Sequence, residues 1–377
     1  MAGIYIHIPF CKKACTYCNF HFSTSLQTKD ALLRALKKEI SITELYSPAE
    51  NDISTIYFGG GTPSLLSSDE LTSILSEIRS KFQVRCDAEI TLEANPDDIN
   101  PYTLQSWLQL GINRLSVGIQ SFNEAELKWM NRAHNATESM KCIKDIQLAG
   151  FTNFSVDLIY GSPLQSNKEL LRNLDIIFSN GIPHISCYAL TVEPRTVLNK
   201  MIELHTSPPV DTDRQAEQFQ LLLSGMQQAE YEQYEISNFA KPGFRSKHNS
   251  SYWQGKPYYG FGPAAHAFDG KNIRRWNIAN NALYIQSLSK NTLPFEAETL
   301  TDTQRLNEYI MTSLRTSEGL NLSKIRNEFG EKQYSRLSAQ SVDFIRQHHM
   351  ILADECLILT NEGKFLADGI ASDLFAE

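Results

Sequence analysis

Over the first half of the chain, short apolar and β-branched runs alternate with stretches whose apolar positions recur every three or four residues. The runs at 4–9 (IYIHIP), 53–60 (ISTIYFGG), 89–96 (EITLEANP), 114–120 (RLSVGIQ), 154–161 (FSVDLIYG) and 185–190 (ISCYAL) have the length and residue types of strands. Between them, the periodicity predicts helices over 31–45, 69–82, 103–110, 137–149 and 168–179. Alternation of this kind means a parallel sheet with right-handed crossovers. Nearly every strand ends in glycine or polar residues (GGGTP, EANP, GIQSFN, DLIYG, ALTVEP), and those ends are where a barrel of βα units carries its chemistry. Six units fall short of a full barrel. The expected α/β fold is therefore an open, partial (β/α)6 TIM-like barrel over 1–195.

Residues 196–299 read as an extension of that barrel. They hold a predicted helix over 212–230, a β-like run at 231–240, and a glycine- and aromatic-rich stretch at 241–270. From 300 the pattern turns helical, over 303–315, 322–329 and 334–348. It closes on a hairpin-like pair, MILADECLILT then NEGKFL. This predicts a small α+β, winged-helix-like C-terminal domain over 300–377.

The length, 377 residues, suits two or three domains, and an apolar fraction of 42% with 21% charged residues is ordinary for a globular protein. A net charge of -8 argues against a protein built to grip phosphate backbones, so no nucleic-acid partner is expected. No leader-like segment or bilayer-length apolar run is evident, which makes a cytoplasmic location the expectation. Of seven cysteines, three fall between positions 11 and 18, a spacing for metal rather than disulfides. Cys86, Cys142, Cys187 and Cys356 are scattered and read as core thiols.

Cys11, Cys15 and Cys18 form a CxxxCxxC pattern directly after the first strand. Thiolates are the usual ligands of iron–sulfur clusters, and three on one loop can hold three irons of a 4Fe–4S cubane. The fourth iron is then left open, as a substrate-binding metal position must be. With His21 as a fourth ligand, the loop would instead make a closed zinc site. GGGTPS at 59–64 follows a strand; alone, it marks a tight turn. Glu93, Gln120 and Asp157 end strands, and Arg132 follows in NEAELKWMNRAH. Singly, such residues are caps or loop bonds; converging on one barrel mouth, they suit ribose hydroxyls and a carboxylate.

The cysteine loop resembles that of the radical S-adenosylmethionine (SAM) superfamily. There the free iron chelates the methionine part of SAM, and an electron from the cluster cleaves the sulfonium to give a 5′-deoxyadenosyl radical. The series IYIHIPFC, CxxxCxxC, YFGGGTPS, LEANP, SVGIQSFN, NRAH, VDLIYG and YALTVEP resembles one family within it, over essentially the whole chain. It is the family of oxygen-independent coproporphyrinogen III oxidase and the heme chaperone HemW. Carried over by position, Tyr17 would lie near the adenine, and Tyr5, Gly60, Gly61, Thr62, Glu93 and Ala189 would contact SAM. Gln120, Arg132 and Asp157 match residues lining a second SAM position in the oxidase.

Three features resemble the chaperone branch. Phe20 stands where the oxidase carries a fourth cysteine, only residues 1–3 precede the first strand where the oxidase has an extension, and HNSSYW at 248–253 fits the HNxxYW motif associated with heme binding. Histidine is a common axial ligand of heme iron and aromatics pack on porphyrin faces. The plainer reading makes His248 and Asn249 hydrogen-bonded loop residues, and Tyr252 and Trp253 core. His266 and Cys187 read as structural, His348 and His349 as solvated. The resemblance implies a carrier using a 4Fe–4S cluster, SAM and heme, with His248 as an iron ligand. It implies delivery of heme to apo-hemoproteins such as membrane respiratory enzymes, which would bring the protein peripherally to a membrane. It also implies an electron donor such as a flavodoxin or ferredoxin, and leaves room for a homodimer. The rival is the oxidase reaction, oxidative decarboxylation of coproporphyrinogen III to protoporphyrinogen IX.

Overall fold

The computed structural model describes residues 1–44 and 51–377. Six strands follow one another in parallel pairing: β1 (Ala2–Ile8), β2 (Asp52–Gly60), β3 (Gln83–Ala94), β4 (Arg114–Gln120), β5 (Phe154–Tyr160) and β6 (His184–Ala189). Their crossovers carry α1 (Lys29–Ile42), α2 (Ser68–Lys81), α3 (Pro101–Gln109), α4 (Glu124–Trp129), α5 (Ala136–Leu148) and α6 (Asn167–Ser179). Position 45, the last of the helix predicted over 31–45, lies outside the described residues. β1 and β5 are buried almost throughout, as a helix-covered parallel sheet demands. Capping boxes at Ser67/Glu70, Asn135/Glu138 and Ser166/Glu169 start α2, α5 and α6 where the apolar period begins.

The region predicted as an extension divides between the two edges of this sheet. After α7 (Val197–Glu203) and α8 (Thr212–Gln228), β7 (Glu232–Glu235) and β8 (Asn238–Ala240) add antiparallel strands beyond β6. A short helix, α9 (Lys247–Trp253), then leads to β9 (Tyr258–Phe261), which pairs parallel with β1. β10 (His266–Phe268), β11 (Ile273–Asn277), α10 (Asn281–Ser289) and β12 (Phe295–Thr299) follow. The result is one open sheet running from β12 to β7, with β1–β6 at its centre.

The C-terminal domain has its own core, including Leu306, Ile310, Leu337 and Leu357. Its order is α11 (Asp302–Leu314), β13 (Leu320–Asn321), α12 (Leu322–Phe329), α13 (Glu331–Arg346), β14 (Met350–Ala353) and β15 (Cys356–Leu359), the helix–strand–helix–helix–hairpin sequence of a winged helix. Both strands of the hairpin lie within MILADECLIL. NEGKFL, expected as its second arm, is instead the helix α14 (Asn361–Phe365), begun by Thr360 accepting from the Gly363 amide; α15 (Ala367–Asp373) follows. Gly363 packs closely on the neighbouring backbone, where a Cβ would meet the His349 carbonyl oxygen.

Glu39 on α1 locks the β9–β12 extension to the barrel. Its buried carboxylate accepts from the Gly262 amide at 2.9 Å, Asn277 Nδ2 at 2.6 Å and the Tyr284 hydroxyl at 2.5 Å. Burial pushes its pKa up to about 7 against the ordinary 4.5, those three donors opposing the shift. Because the folded value lies above the unfolded one, the group favours the fold when protonated, and that contribution fades as pH rises from about 4.5 to 7. Removing a donor to the ionised form deepens the loss. Tyr284→Phe is expected to cost about 1–3 kcal/mol, with a larger drop in Tm at pH 8 than at pH 5.5; equal drops at both would contradict the assignment.

Candidate functional site

The site is organised by the way β2 ends on β1. Gly60 has φ +105°, a conformation that favours glycine, and a Cβ on it would overlap the His7 ring. A Cβ on Gly61 would come within 2.6 Å of the Phe10 carbonyl oxygen and 2.8 Å of that of Ile8. Only bare backbone fits, and it bonds there: the Gly61 amide donates to the Ile8 carbonyl at 2.9 Å, and the Thr62 amide to that of Phe10 at 2.7 Å. The GGGTP turn thus holds the stem from which the cysteine loop leaves β1.

That loop has no regular structure and is pinned from several sides. Cys11 donates its amide to the Ser23 carbonyl and Thr16 to that of Met130, while Asn131 Nδ2 donates to the Ala14 carbonyl at 2.8 Å. Lys12 ion-pairs with Asp97 at 2.6 Å and with Asp98. Tyr17 packs on a small apolar cluster of Met130, Ile159, Leu190 and Leu198. Arg132 reaches up from beneath, with Nη1 3.3 Å from Cys15 Sγ and Nη2 2.7 Å from Asn95 Oδ1.

Cys11, Cys15 and Cys18 line a cavity of about 440 Å³ at the C-terminal ends of β2–β6. Nine of the eleven residues expected to bind cofactor line it with them: Tyr17, Gly60, Gly61, Thr62, Glu93, Gln120, Arg132, Asp157 and Ala189. Gln120 reaches it through a bulge in β4, with φ +69° and a register shift against β5. Glu93 accepts from the Tyr57 hydroxyl at 2.8 Å and the Gly60 amide at 3.1 Å. Burial lifts Glu93 to about 7 and Asp157 to about 6, hydrogen bonds from Tyr57 and from Ser186 opposing each shift. Such carboxylates accept strongly from an ammonium or a hydroxyl that enters.

Tyr5 and His248 are placed otherwise. Tyr5 lines a second cavity, with its hydroxyl 3.1 Å from His7 Nδ1. His248 is 1% exposed and lines neither cavity. Its Nδ1 is 2.8 Å from Thr55 Oγ1 and its Nε2 2.8 Å from the Tyr252 hydroxyl, with its ring stacked 5.0 Å from Tyr57. Burial holds it at about 3, hence neutral. In this conformation it offers iron no free ring nitrogen. Asn95, Ser186, Tyr188 and Asn249 also line the cysteine cavity, though none was expected to contact a cofactor. The alternation of ISCYAL could have found Ser186 and Tyr188, since residues two apart on a strand share a face.

Three thiols lining one cavity are a donor set that fits an iron–sulfur cluster. Burial pushes Cys11 up to about 11, with a Thr62 hydrogen bond opposing and the Cys18 and Cys15 thiolates adding to the shift. A bound metal would favour the thiolate against that burial. His21, the fourth ligand of a closed zinc site, has its Nε2 bonded to Asn281 Oδ1 at 2.8 Å.

Comparisons with known proteins give the family. The profile of the Radical SAM superfamily matches residues 5–177, and that of the HemN C-terminal domain matches residues 300–366. The heme chaperone HemW of Bacillus subtilis is 31% identical over 383 residues, covering all of both chains. The chain belongs to the HemW family of radical SAM proteins. The heme chaperone HemW of Escherichia coli is 37% identical over 72% of each chain. Among solved structures, coproporphyrinogen III oxidase (HemN) from Escherichia coli, a radical SAM enzyme, superposes with a TM-score of 0.83. It covers all of this chain and 90% of that one at 21% identity, a likeness of fold. Membership of the radical SAM family implies a 4Fe–4S cluster and SAM as cofactors.

Two outcomes test the site. Cys15→Ala is expected to abolish the iron–sulfur absorbance after anaerobic reconstitution, and an unchanged spectrum would refute the ligand assignment. Gly61→Ala, which presses a Cβ on two backbone oxygens, should destabilise the fold by about 1–3 kcal/mol and lower the iron bound per chain. A variant melting like the parent would show that the turn is not the constraint described.

Proposed function

We propose that the chain is a heme carrier of the HemW type that binds heme next to a SAM-bound cluster and passes it to apo-hemoproteins. The observation that supports this most is the position of the HNSSYW helix. α9 starts on Glu89, whose carboxylate accepts from the Lys247 and His248 amides at 3.1 and 3.0 Å. It turns Asn249 into the cysteine cavity and Tyr252 and Trp253 into the second one, of about 860 Å³. Asn19 and Phe20, at the end of the cysteine loop, line both. A ligand in the second cavity would therefore touch the loop that holds the cluster.

In this reading Cys11, Cys15 and Cys18 hold the cluster, which when bound supplies an open iron position and an electron. Gly60, Gly61, Thr62, Glu93 and Ala189 position SAM, with Gln120, Arg132 and Asp157 lining the far wall. Glu93 takes an ammonium and Asp157 a hydroxyl, each gaining ionised character as the donor arrives. A flavodoxin or ferredoxin would supply the electron. No helix among the described residues is long and apolar enough to cross a membrane. A cytoplasmic carrier that meets membrane-bound recipients at the surface is consistent with that.

The test is anaerobic reconstitution with iron and sulfide, then heme titration and coproporphyrinogen III turnover on the same sample. A Soret band without decarboxylation is the expected result. Turnover to protoporphyrinogen IX would make the chain an oxidase and overturn the carrier reading.

A further inference from the structure

The second cavity lies between the β9–β11 edge of the sheet and the first two helices of the C-terminal domain. Its roughly 860 Å³ is at the large end of cofactor sites. Aromatic side chains form much of the wall: Tyr252, Trp253, Tyr258 and Phe268 from the barrel side, Tyr309 and Phe329 from the C-terminal domain. Five cations, Lys256, Lys271, Arg274, Arg305 and Lys324, line it against two carboxylates, Glu308 and Glu328. That excess stands out in a chain of net charge -8. A flat apolar ligand with anionic edges suits such a lining.

Three histidines line this cavity. His7 has both ring nitrogens engaged, with the Tyr5 hydroxyl at 3.1 Å and the His21 carbonyl at 2.9 Å. His21 has Nε2 bonded to Asn281. His266 differs. Its side chain is exposed to the cavity, tilted against Trp276 at 6.3 Å, and among the described residues neither ring nitrogen has a hydrogen-bond partner.

Strand register sets His266 against the cations. Phe268 pairs with Tyr258, and residues two apart share a face, so His266 and Phe268 both point into the cavity while Ala267 faces away. Lys256 and Lys271 flank the Tyr258–Phe268 pair at one end of the β9–β10 hairpin, where Gly270 abuts Pro257. His266 lies two residues, about 7 Å, along the strand from that end. Among the described residues neither lysine has a side-chain hydrogen bond or ion pair. A porphyrin with its iron over the imidazole would direct its propionates toward these ammonium groups.

We propose that this cavity is the heme site, with His266 as the iron ligand and Lys256 and Lys271 as propionate partners. His248 then supports the site through Tyr252 without touching iron. The assignment rests on the heme-carrier reading and adds to it the place and the ligand.

The experiment titrates hemin into the full-length chain and into His266→Ala, His266→Gln, His248→Ala and Lys256→Ala/Lys271→Ala, with circular dichroism to confirm folding. The parent is expected to give a histidine-ligated Soret band. Both His266 variants should lose that signature and bind on the order of tenfold or more weakly, and added imidazole should restore the band in His266→Ala. The lysine pair should weaken affinity and keep the signature. A folded His266→Ala with the parent's spectrum and affinity overturns the assignment while the carrier reading stands. So does loss of the signature in His248→Ala alone. A parent that takes up no heme overturns both.

Discussion

A backbone contact too tight for any side chain carries the rest of the site. Where β2 meets the end of β1, the Gly61 and Thr62 amides bond the carbonyls of Ile8 and Phe10, and a Cβ on Gly61 would collide with both oxygens. This contact sets the direction in which the chain leaves β1. From there Cys11, Cys15 and Cys18 follow without secondary structure of their own, so their placement depends on what grips the loop. Asp97, Asp98, Met130, Asn131 and Arg132 supply that grip from beyond β3 and β4. A loop held by the ends of several parallel strands is rigid enough to place three thiols, and open enough to leave one face toward a ligand.

The barrel was legible because its signal is local. Each of the six strands lies within a few residues of an apolar run, and the crossover helices α2 to α6 each start at a capping residue that their own sequence supplies. The cysteine spacing and the glycine run were equally local, and the structure brings them to one cavity. What local pattern could not show is which neighbour a strand joins. β9 pairs with β1 across some 250 residues of chain, and that pairing creates the second cavity. NEGKFL, expected as a strand arm, is a helix capped by Thr360, with Gly363 packed under the His349 carbonyl.

His248 and His266 show the same limit at the level of single side chains. Both are histidines in glycine- and aromatic-rich sequence, and motif alone favoured His248. Burial separates the two. Thr55, Tyr252 and Tyr57 consume the His248 ring, whereas β10 leaves the His266 ring open to the cavity. The motif still has a place: α9 stands between the two cavities, and Asn19 and Phe20 close the gap beside it. Phe20, 68% exposed, presents an apolar face to both. Filling the cluster site and filling the second cavity thus act on the same stretch of loop, which gives a physical route for one to influence the other.

For the chain to act as proposed, the cysteine cavity must hold a cluster whose open iron takes SAM. Electron paramagnetic resonance of the reduced, reconstituted protein, with and without SAM labelled with nitrogen-15 at the methionine amino group, measures this directly. The expected result is a changed cluster spectrum on adding SAM, with hyperfine coupling to the labelled nitrogen. A reduced cluster whose spectrum is the same with and without SAM, and uncoupled to the label, would contradict it.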